Sequence, residues 1–353
     1  MNKLKKINIC VIRNDRIGDM ILTLPIIKAI KENYPNSNIS VVCSKVNSFL
    51  CEEAKFVDKF CIYDKNESLF YKIKFFKYFR KVSYDIVFNF SQSLDIFFLF
   101  LFSKSINKMS LIYLSRYGNP KHSKKFQKLI IKLFSIGNIE VDRNQFFKNK
   151  LNFHQTEMMY QLVKKKLDIK KPKVFHLIPH KKDFSNFFEE RILIHLSCRW
   201  IDNNYSEDDF LELLTELGNK YGKIYLTTDQ SSEINFRKIY QFYESYNDHK
   251  LHELSKSNQN IIILDKLNFK NWREAILNSK LVITYECGCV HVAAMSNVPL
   301  LVVYDYKNRP HMINKEYAPY TDKYQKVIIS QERINQEIMT KLEKMEVYNF
   351  CNI

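Results

Sequence analysis

A short strand-like run that stops at a polar turn and restarts as a helix constrains this chain more than any other feature. Residues 7–12 are apolar and mostly β-branched, the composition of a central parallel strand. Arg13, Asn14, Asp15 and Arg16 make the turn, and a helix follows Gly18 as far as Asn33. Strand, turn and helix in that order build an open α/β sheet, whose ligands collect outside the C-terminal strand ends. Gly18 lets the backbone approach a ligand there. Asp19 can take a proton from a substrate hydroxyl, or it can act as a first-turn acid that complements the helix dipole; spacing alone leaves both readings open. No G-x-G-x-x-G follows the strand and no G-x-x-x-x-G-K-[ST] occurs, so neither a dinucleotide fingerprint nor a Walker-type phosphate loop is supported.

The alternation continues. Strands are expected at residues 39–43, 60–63 and 85–90, with helices at 69–79 and 94–102, the latter buried. Residues 104–150 break this rhythm: their many lysines and arginines are opposed only by Glu140 and Asp142. Within them Phe126, Leu129, Ile130, Leu133 and Phe134 recur at helical spacing between lysines. That helix either touches anionic lipid or turns an apolar stripe to the core. A helix over 154–167 precedes a charged, proline-bearing stretch, Lys170 to Val174, which reads as an interdomain linker. The rhythm then restarts, with strands at 191–196, 223–228, 261–264, 281–285 and 299–304, the last of the chain. Helices are expected at 206–217, 232–243, around 272–278, at 288–295 and at 331–344. Ser206 to Asp209 has the form of a capping box. The chain therefore divides into an N-terminal domain (1–170), a C-terminal domain (171–330) and a closing helical segment (331–353).

With 353 residues and 46% apolar content, two domains of ordinary size can each bury a core. Only 6 residues are glycine, so those at 18 and 288, both at strand-to-helix turns, are expected to answer a backbone need. The net charge of +17 implies either an anionic partner or a lysine-rich, solubilising surface. The 8 cysteines include no C-x-x-C pair, and they read as small buried hydrophobes in a reducing compartment. Cys287 and Cys289 lack the second pair that a zinc set needs. The apolar run at the N-terminus ends at Arg13, too early for a signal peptide, and the stretch 96–102 is far short of the ~20 residues of a spanning helix. A cytoplasmic protein is expected.

A second strand–turn–helix unit runs from Ile283 through Glu286, Cys287 and Gly288 to Ala294. Free N–H groups at its helix start suit a diphosphate. His291, in the first turn, is either a donor to phosphate or ribose or a packed polar residue. Ser197 and Arg199 follow the first strand of the second half; an arginine there can grip an anion with two N–H groups or lie idle on the surface.

The run VIRNDRIGDMILTLPIIKAIKENYPNSNISVV resembles the N-terminal signature of the glycosyltransferase family 9 heptosyltransferases: an apolar strand, a basic residue, Gly-Asp, an apolar pair, Thr and Leu-Pro. Arg13, Gly18, Asp19, Thr23, Leu24 and Pro25 supply it. The later stretch is similar to that family's nucleotide-binding motif, Asp-Thr/Ser-Gly-x-x-His-x-x-Ala-Ala, through Gly288, His291, Ala293 and Ala294. Glu286 stands for the usual Asp and Cys287 for the usual hydroxyl residue. A third family element, with a Lys before Trp-Pro, survives here only in Ser197; the Lys is missing, Asn203 stands near its place, and Arg199 is the available cation.

The resemblance implies two Rossmann-like domains facing a cleft, the glycosyltransferase-B arrangement, and an inverting, metal-independent transferase without a cofactor. Asp19 is implied as the catalytic base, with Arg13, Arg16 and Gly18 at the acceptor side or turn. Ser197, Arg199, Glu286, Cys287, Gly288 and His291 are implied at the donor diphosphate. The absence of a D-x-D motif fits charge stabilisation by arginine and helix dipole instead of a metal. The implied donor is ADP-heptose and the implied acceptor a lipid-anchored saccharide of the lipopolysaccharide or lipooligosaccharide core, met peripherally at the inner face of the inner membrane. Glu286 and Cys287 keep a different nucleotide-sugar, for another surface glycan, in play, and the missing Lys a nucleotide binder without turnover. A basic nucleic-acid-binding non-enzyme is the remaining alternative, though no RNA-recognition or helix-turn-helix signature accompanies the charge, so no nucleic-acid partner is expected.

Overall fold

The computed structural model describes residues 6–91, 93–114, 125–134, 136–142, 154–177, 187–202, 205–229, 232–304, 313–328 and 334–349. The chain forms two compact units, one of residues 1–175 with 311–318, the other of residues 176–310 with 319–353.

The first unit carries β1 (Asn8–Arg13), α1 (Ile17–Asn33), β2 (Asn38–Cys43), α2 (Ser48–Glu53), β3 (Lys59–Ile62), α3 (Leu69–Phe79), β4 (Ser83–Asn89), α4 (Leu94–Leu101), β5 (Lys104–Tyr113), α5 (Lys125–Leu133), β6 (Gly137–Val141) and α6 (Gln155–Lys164). Its strands are all parallel, in the order β3-β2-β1-β4-β5-β6. The order reverses at β1, where Ile9 lies between Ile39 of β2 and Ile86 of β4. The C-terminal end of β1 is therefore the switch point at which ligands of such sheets sit.

One face of this sheet is covered by α3, α4 and α5, whose Phe75, Phe79, Phe97, Phe100 and Ile130 meet Cys10, Ile12 and Val87. Elsewhere α1 packs on α6: Thr23 Oγ1 contacts Met159 Sδ at 3.4 Å, and Thr156 Oγ1 donates to the Leu22 carbonyl at 2.9 Å. Sandwiched in this way, α1 is buried almost all round from Met20 to Ile30 and shows no clean polar face. Pro25 lies inside it and cannot donate to the Ile21 carbonyl.

The second unit carries β7 (Ile192–Leu196), α7 (Arg199–Asp202), α8 (Glu207–Tyr221), β8 (Ile224–Thr228), α9 (Ser232–Asn235), α10 (Arg237–Phe242), β9 (Ser245–Tyr246), a 3-10 turn (Leu251–Lys256), β10 (Ile261–Leu264), α11 (Phe269–Leu277), β11 (Leu281–Tyr285), α12 (Gly288–Met295), β12 (Leu300–Tyr304), β13 (Tyr324–Ile328) and α14 (Ile334–Asn349). Between β12 and β13 the short helix α13 (Ile313–Glu316) belongs to the first unit; to keep chain order, α14 is numbered after it. The sheet is again parallel, β13-β12-β11-β7-β8-β10-β9. Trp200, Tyr205, Phe210 and Phe236 form an aromatic cluster in its core. Ser206 caps α8 as its sequence predicts: its hydroxyl accepts from Asp209 N at 3.1 Å, and Asp209 Oδ2 accepts from Ser206 N at 3.0 Å. Both units are thus α/β with parallel sheets, as expected.

Several expectations need correction. The strand–helix rhythm does not break at residue 104. β5 and β6 extend the sheet there, disguised because the first half of β5 is polar and β6 is a short edge strand of ordinary residues. The expected stripe on α5 is not the inner one. Ile130 and Ile131 face the core, whereas Leu129, Leu133 and Phe134 are exposed; Phe126 lies among side chains outside the described set. Helix α4 is not buried throughout, since Leu94, Phe98 and Phe102 beside it face outward. The helix expected at 232–243 is two pieces, broken where Phe236 leaves helical geometry (φ −129°, ψ 49°) and inserts against Phe210. β13 follows the strand taken as last.

Candidate functional site

In the first unit the site grows out of the turn after β1. Arg13 ends the strand with its side chain only 1% exposed. Its guanidinium donates to the Phe90 carbonyl at 2.5 Å and to Asp19 Oδ1 at 2.7 Å, and Nε lies 3.4 Å from Asp15 Oδ2. Burial alone pulls a guanidinium down, but Asp19 and then Asp15 outweigh it and hold Arg13 firmly charged. Burial raises the Asp15 carboxyl, as does the neighbouring Asp19 charge, while Arg13 opposes both.

The turn itself is fixed by side chains that reach its backbone. Asn14 N donates to Ser91 Oγ at 2.7 Å, and Ser91 Oγ donates to Asp15 Oδ2 at 3.2 Å. Asn14 Nδ2 donates to the Cys43 carbonyl at 3.0 Å and also to the Tyr63 carbonyl. Asn47 Nδ2 donates to the Arg13 and Asp15 carbonyls at 3.3 and 3.2 Å. Three neighbouring strand ends therefore clamp one loop, and Asp19 rises from it in the first turn of α1.

Asp19 has two polar partners here. Its Oδ2 accepts from Arg16 N at 3.4 Å, so it serves the helix start, as one sequence reading holds. Its carboxylate is also 19% exposed with its orientation set by Arg13, which is what a proton acceptor at a strand end needs. Arg16 is the N-cap residue, and its side chain points to solvent. Gly18 is buried within the helix.

The segment around α13 returns to this unit. Glu316, fully buried, accepts from Gln155 Nε2 at 2.6 Å, and Gln155 Oε1 accepts from the Tyr113 hydroxyl at 2.7 Å. His154 caps α6, with Nδ1 accepting from Thr156 N at 3.2 Å and Nε2 at 2.9 Å from the Ala318 carbonyl. Burial holds His154 below its ordinary value, in the neutral form that both bonds require. Tyr113 and Tyr317 both contribute to the field at Arg13. Nothing in the spacing of residues 311–318 marks them as part of the N-terminal unit; only the fold does.

In the second unit, β7 and β11 are neighbours, and each leads into one half of the expected donor site. Arg199 does not wait as an unpaired cation. Its Nη1 donates to the Glu286 carbonyl at 2.5 Å and to the Glu286 carboxylate, in a pair whose side chains are 22% and 14% exposed. Ser197 Oγ is buried without a hydrogen-bond partner among the described residues. Cys287 is the N-cap of α12, and its sulfur turns to Thr284 Oγ1 at 3.4 Å; burial pushes the thiol up. Asn203, which stands near the place of the missing lysine, lies outside the described residues.

Gly288 opens α12, and His291 follows one turn later, buried. Among the described glycines only Gly222 has positive φ, and a Cβ at Gly288 would meet nothing within 4 Å. The expectation that the backbone needs glycine at 18 and 288 is therefore wrong for φ. At Gly288 the absent side chain leaves open space over the helix start. The structure thus gathers Arg13, Arg16, Gly18 and Asp19 in one unit. It gathers Ser197 and Arg199 with Glu286, Cys287, Gly288 and His291 on adjoining strand ends of the other. Among the described residues, no three His, Cys, Asp or Glu side chains cluster as metal ligands would.

Comparison with known proteins adds to this geometry. No curated protein sequence matches the chain. Solved structures do. A family 9 glycosyltransferase from Veillonella parvula superposes with a TM-score of 0.74 at 14% identity, covering 99% of each chain. The E. coli heptosyltransferase WaaC with ADP gives 0.68 at 14% identity, covering 96% of this chain and 99% of that one. E. coli ADP-heptose lps heptosyltransferase II gives 0.68 at 14%, covering 97% and 99%. At such identity these likenesses speak for the α/β fold of glycosyltransferases. The sequence profile of glycosyltransferase family 9 (heptosyltransferase) matches residues 72–346, beginning beyond the Arg13–Asp19 turn. With most of its length inside that match, the chain belongs to glycosyltransferase family 9, the heptosyltransferases.

Proposed function

We propose that this glycosyltransferase moves a heptose, or a closely related sugar, from an ADP-activated donor to a lipid-anchored saccharide of the lipopolysaccharide or lipooligosaccharide core, with inversion and without a metal. Asp19 takes the proton of the acceptor hydroxyl. The acceptor oxygen forms a bond to the anomeric carbon while the bond from that carbon to the diphosphate oxygen breaks, and the nucleoside diphosphate leaves with the charge. Attack opposite the leaving group inverts the configuration. The α12 N–H groups, Ser197, Arg199 and His291 stabilise the leaving diphosphate. Glu286 and Cys287 hold the approach to that helix start.

The observation that carries the reading is Asp19 itself: a partly exposed carboxylate beyond the C-terminal end of the switch-point strand, oriented by a buried arginine. ADP-heptose as donor draws on the family and on the names of the E. coli neighbours. The Arg199–Glu286 pair favours one variation, because a longer acid in place of the usual Asp changes what the donor meets, and a different nucleotide-sugar would follow from it. The protein meets its lipid-anchored acceptor peripherally at the cytoplasmic face; among the described residues no helix is long and apolar enough to cross a membrane. A panel of ADP-, UDP-, GDP- and CMP-sugars, assayed for transfer with wild type and Asp19→Asn, tests the proposal. Transfer from an ADP-sugar that Asp19→Asn abolishes is expected; binding of no nucleotide-sugar would refute it.

A further inference from the structure

The first unit carries an exposed surface that its fold does not use. On α3, Leu69, Phe70 and Ile73 face outward, Phe70 with 78% of its surface exposed. Leu94, Phe98 and Phe102, spaced four apart along α4 and just past it, do the same. The two helices lie on the same face of the sheet, joined by the edge-to-face contact of Phe76 and Phe102 at 6.0 Å. Between them runs a groove of about 1030 Å³ whose floor is apolar, from Ile73, Phe76, Phe98 and Leu99. Lys72, Lys77, Arg80, Lys81 and Lys104 line it, with Asp95 the one acid.

Singly exposed apolar side chains need no explanation, but six on two adjoining helices, with Ile73 and Phe98 inside the groove between them, mark an interaction site. The cations narrow the partner. Arg80 lies over the Phe76 ring at 5.7 Å, so charge and ring form one surface. Lys108 Nζ is turned inward to the Leu101 carbonyl at 2.6 Å, and burial, with a smaller push from Arg80, holds it below its usual value. Residues Leu129, Leu133 and Phe134 of the α5 region, exposed on the same layer beside Lys132, extend the pattern. Large apolar side chains interleaved with lysines fit the boundary between acyl chains and anionic headgroups.

We propose that the α3–α4 face is a membrane-docking surface, which seats the protein on a bilayer containing anionic phospholipid with Phe70, Leu94 and Phe98 inserted and the lysines on headgroup phosphates. This deepens the peripheral contact in the proposed function and rests on that reading for its purpose, but the surface does not depend on sugar transfer. Its occupant is the bilayer itself, not the saccharide acceptor.

The test is sedimentation of the full chain with vesicles of phosphatidylcholine alone and of phosphatidylcholine with phosphatidylglycerol, in low and high salt. Binding only to the anionic vesicles, weakened by salt, is expected. The double variant Phe70→Ser with Phe98→Ser loses that binding, and Lys77→Gln and Lys81→Gln each weaken it by roughly fivefold. All of these positions are solvent-facing, and thermal unfolding checks that each variant stays folded. Equal binding to both vesicles, no binding, or variants that bind like wild type overturn the proposal. Binding that appears only when acceptor glycolipid is added also overturns it, because the surface then reads the acceptor. Vesicle binding without transfer from any nucleotide-sugar would leave the docking surface standing and remove the proposed reaction instead.

Discussion

Arg13 and Asp19 hold each other across the first turn of α1, Nη2 to Oδ1 at 2.7 Å, with the arginine buried and the carboxylate reaching solvent. The buried partner fixes where the exposed one points. This relation makes the two residues separable by experiment. Loss of Asp19 removes the proposed proton acceptor, whereas loss of Arg13 leaves Asp15 and Asp19 facing each other over a vacated buried site.

Arg13→Met is therefore expected to cost about 3 kcal/mol or more in urea unfolding, in the range for breaking one side of a buried pair. Arg13→Lys keeps the charge but not the fork that spans the Phe90 carbonyl and Asp19, and it should fall between. Equal stability of all three proteins would show that the pair does not hold the turn.

In the proposed donor site, the Glu286 carboxylate and the diphosphate share the Arg199 guanidinium. Glu286→Gln removes the competing charge and is expected to tighten ADP binding by up to about fivefold, the scale of a partly exposed ion pair. Arg199→Met should weaken ADP binding instead. Calorimetric titration of ADP into both variants decides; weaker binding in Glu286→Gln would mean that the acid itself contacts the nucleotide.

His195 gives the protein a pH signature. It is enclosed beside Thr227, with Nδ1 3.0 Å from Oγ1, and Trp272 covers its ring at 5.5 Å. Burial pulls it down to about 4 against a partial lift from Asp229. The unfolded chain, with an ordinary histidine near 6.5, binds the proton more readily, so the native state loses stability as pH falls from about 6.5 toward about 4. The full loss from this one group is of order 3 kcal/mol. Urea midpoints taken at neutral and acid pH should fall less steeply for His195→Asn than for wild type, and parallel slopes would contradict the assignment.

The helix cap on α8 offers a plain control. Ser206→Ala removes the acceptor for Asp209 N and should cost about 1 kcal/mol without changing transfer. A change in donor KM would mean that α8 is coupled to the nucleotide site in a way its cap does not explain.

Much of this was legible in the sequence because parallel strands and their helices announce themselves through composition. β1, β2, β7, β8, β10, β11 and β12 are short β-branched runs, and each motif glycine sits in the helix that follows its strand. β5 was hidden because lysine and asparagine fill its first half, and β6 because it is an edge strand of ordinary residues. The sequence offered candidate site residues but not their partners. No spacing could show that Arg13 reaches Asp19 or that Arg199 reaches Glu286, since the second pair is 87 residues apart. The return of Glu316 and Ala318 to the first unit was equally invisible, because it depends on where the chain travels and not on what it contains.

Whether Asp19 is the proton acceptor of an ADP-sugar transfer is decided most directly by the rate of heptosyl transfer to a core saccharide acceptor from ADP-heptose, by wild type and by Asp19→Asn, with and without a chelator. The wild-type rate should be unchanged by the chelator and should fall by about 10²–10⁴-fold in Asp19→Asn, the range for a lost general base. The variant's affinity for ADP should match that of wild type, and thermal unfolding confirms that it is folded at the assay temperature. A variant as fast as wild type would contradict the account outright, returning Asp19 to the role of a helix-start acid.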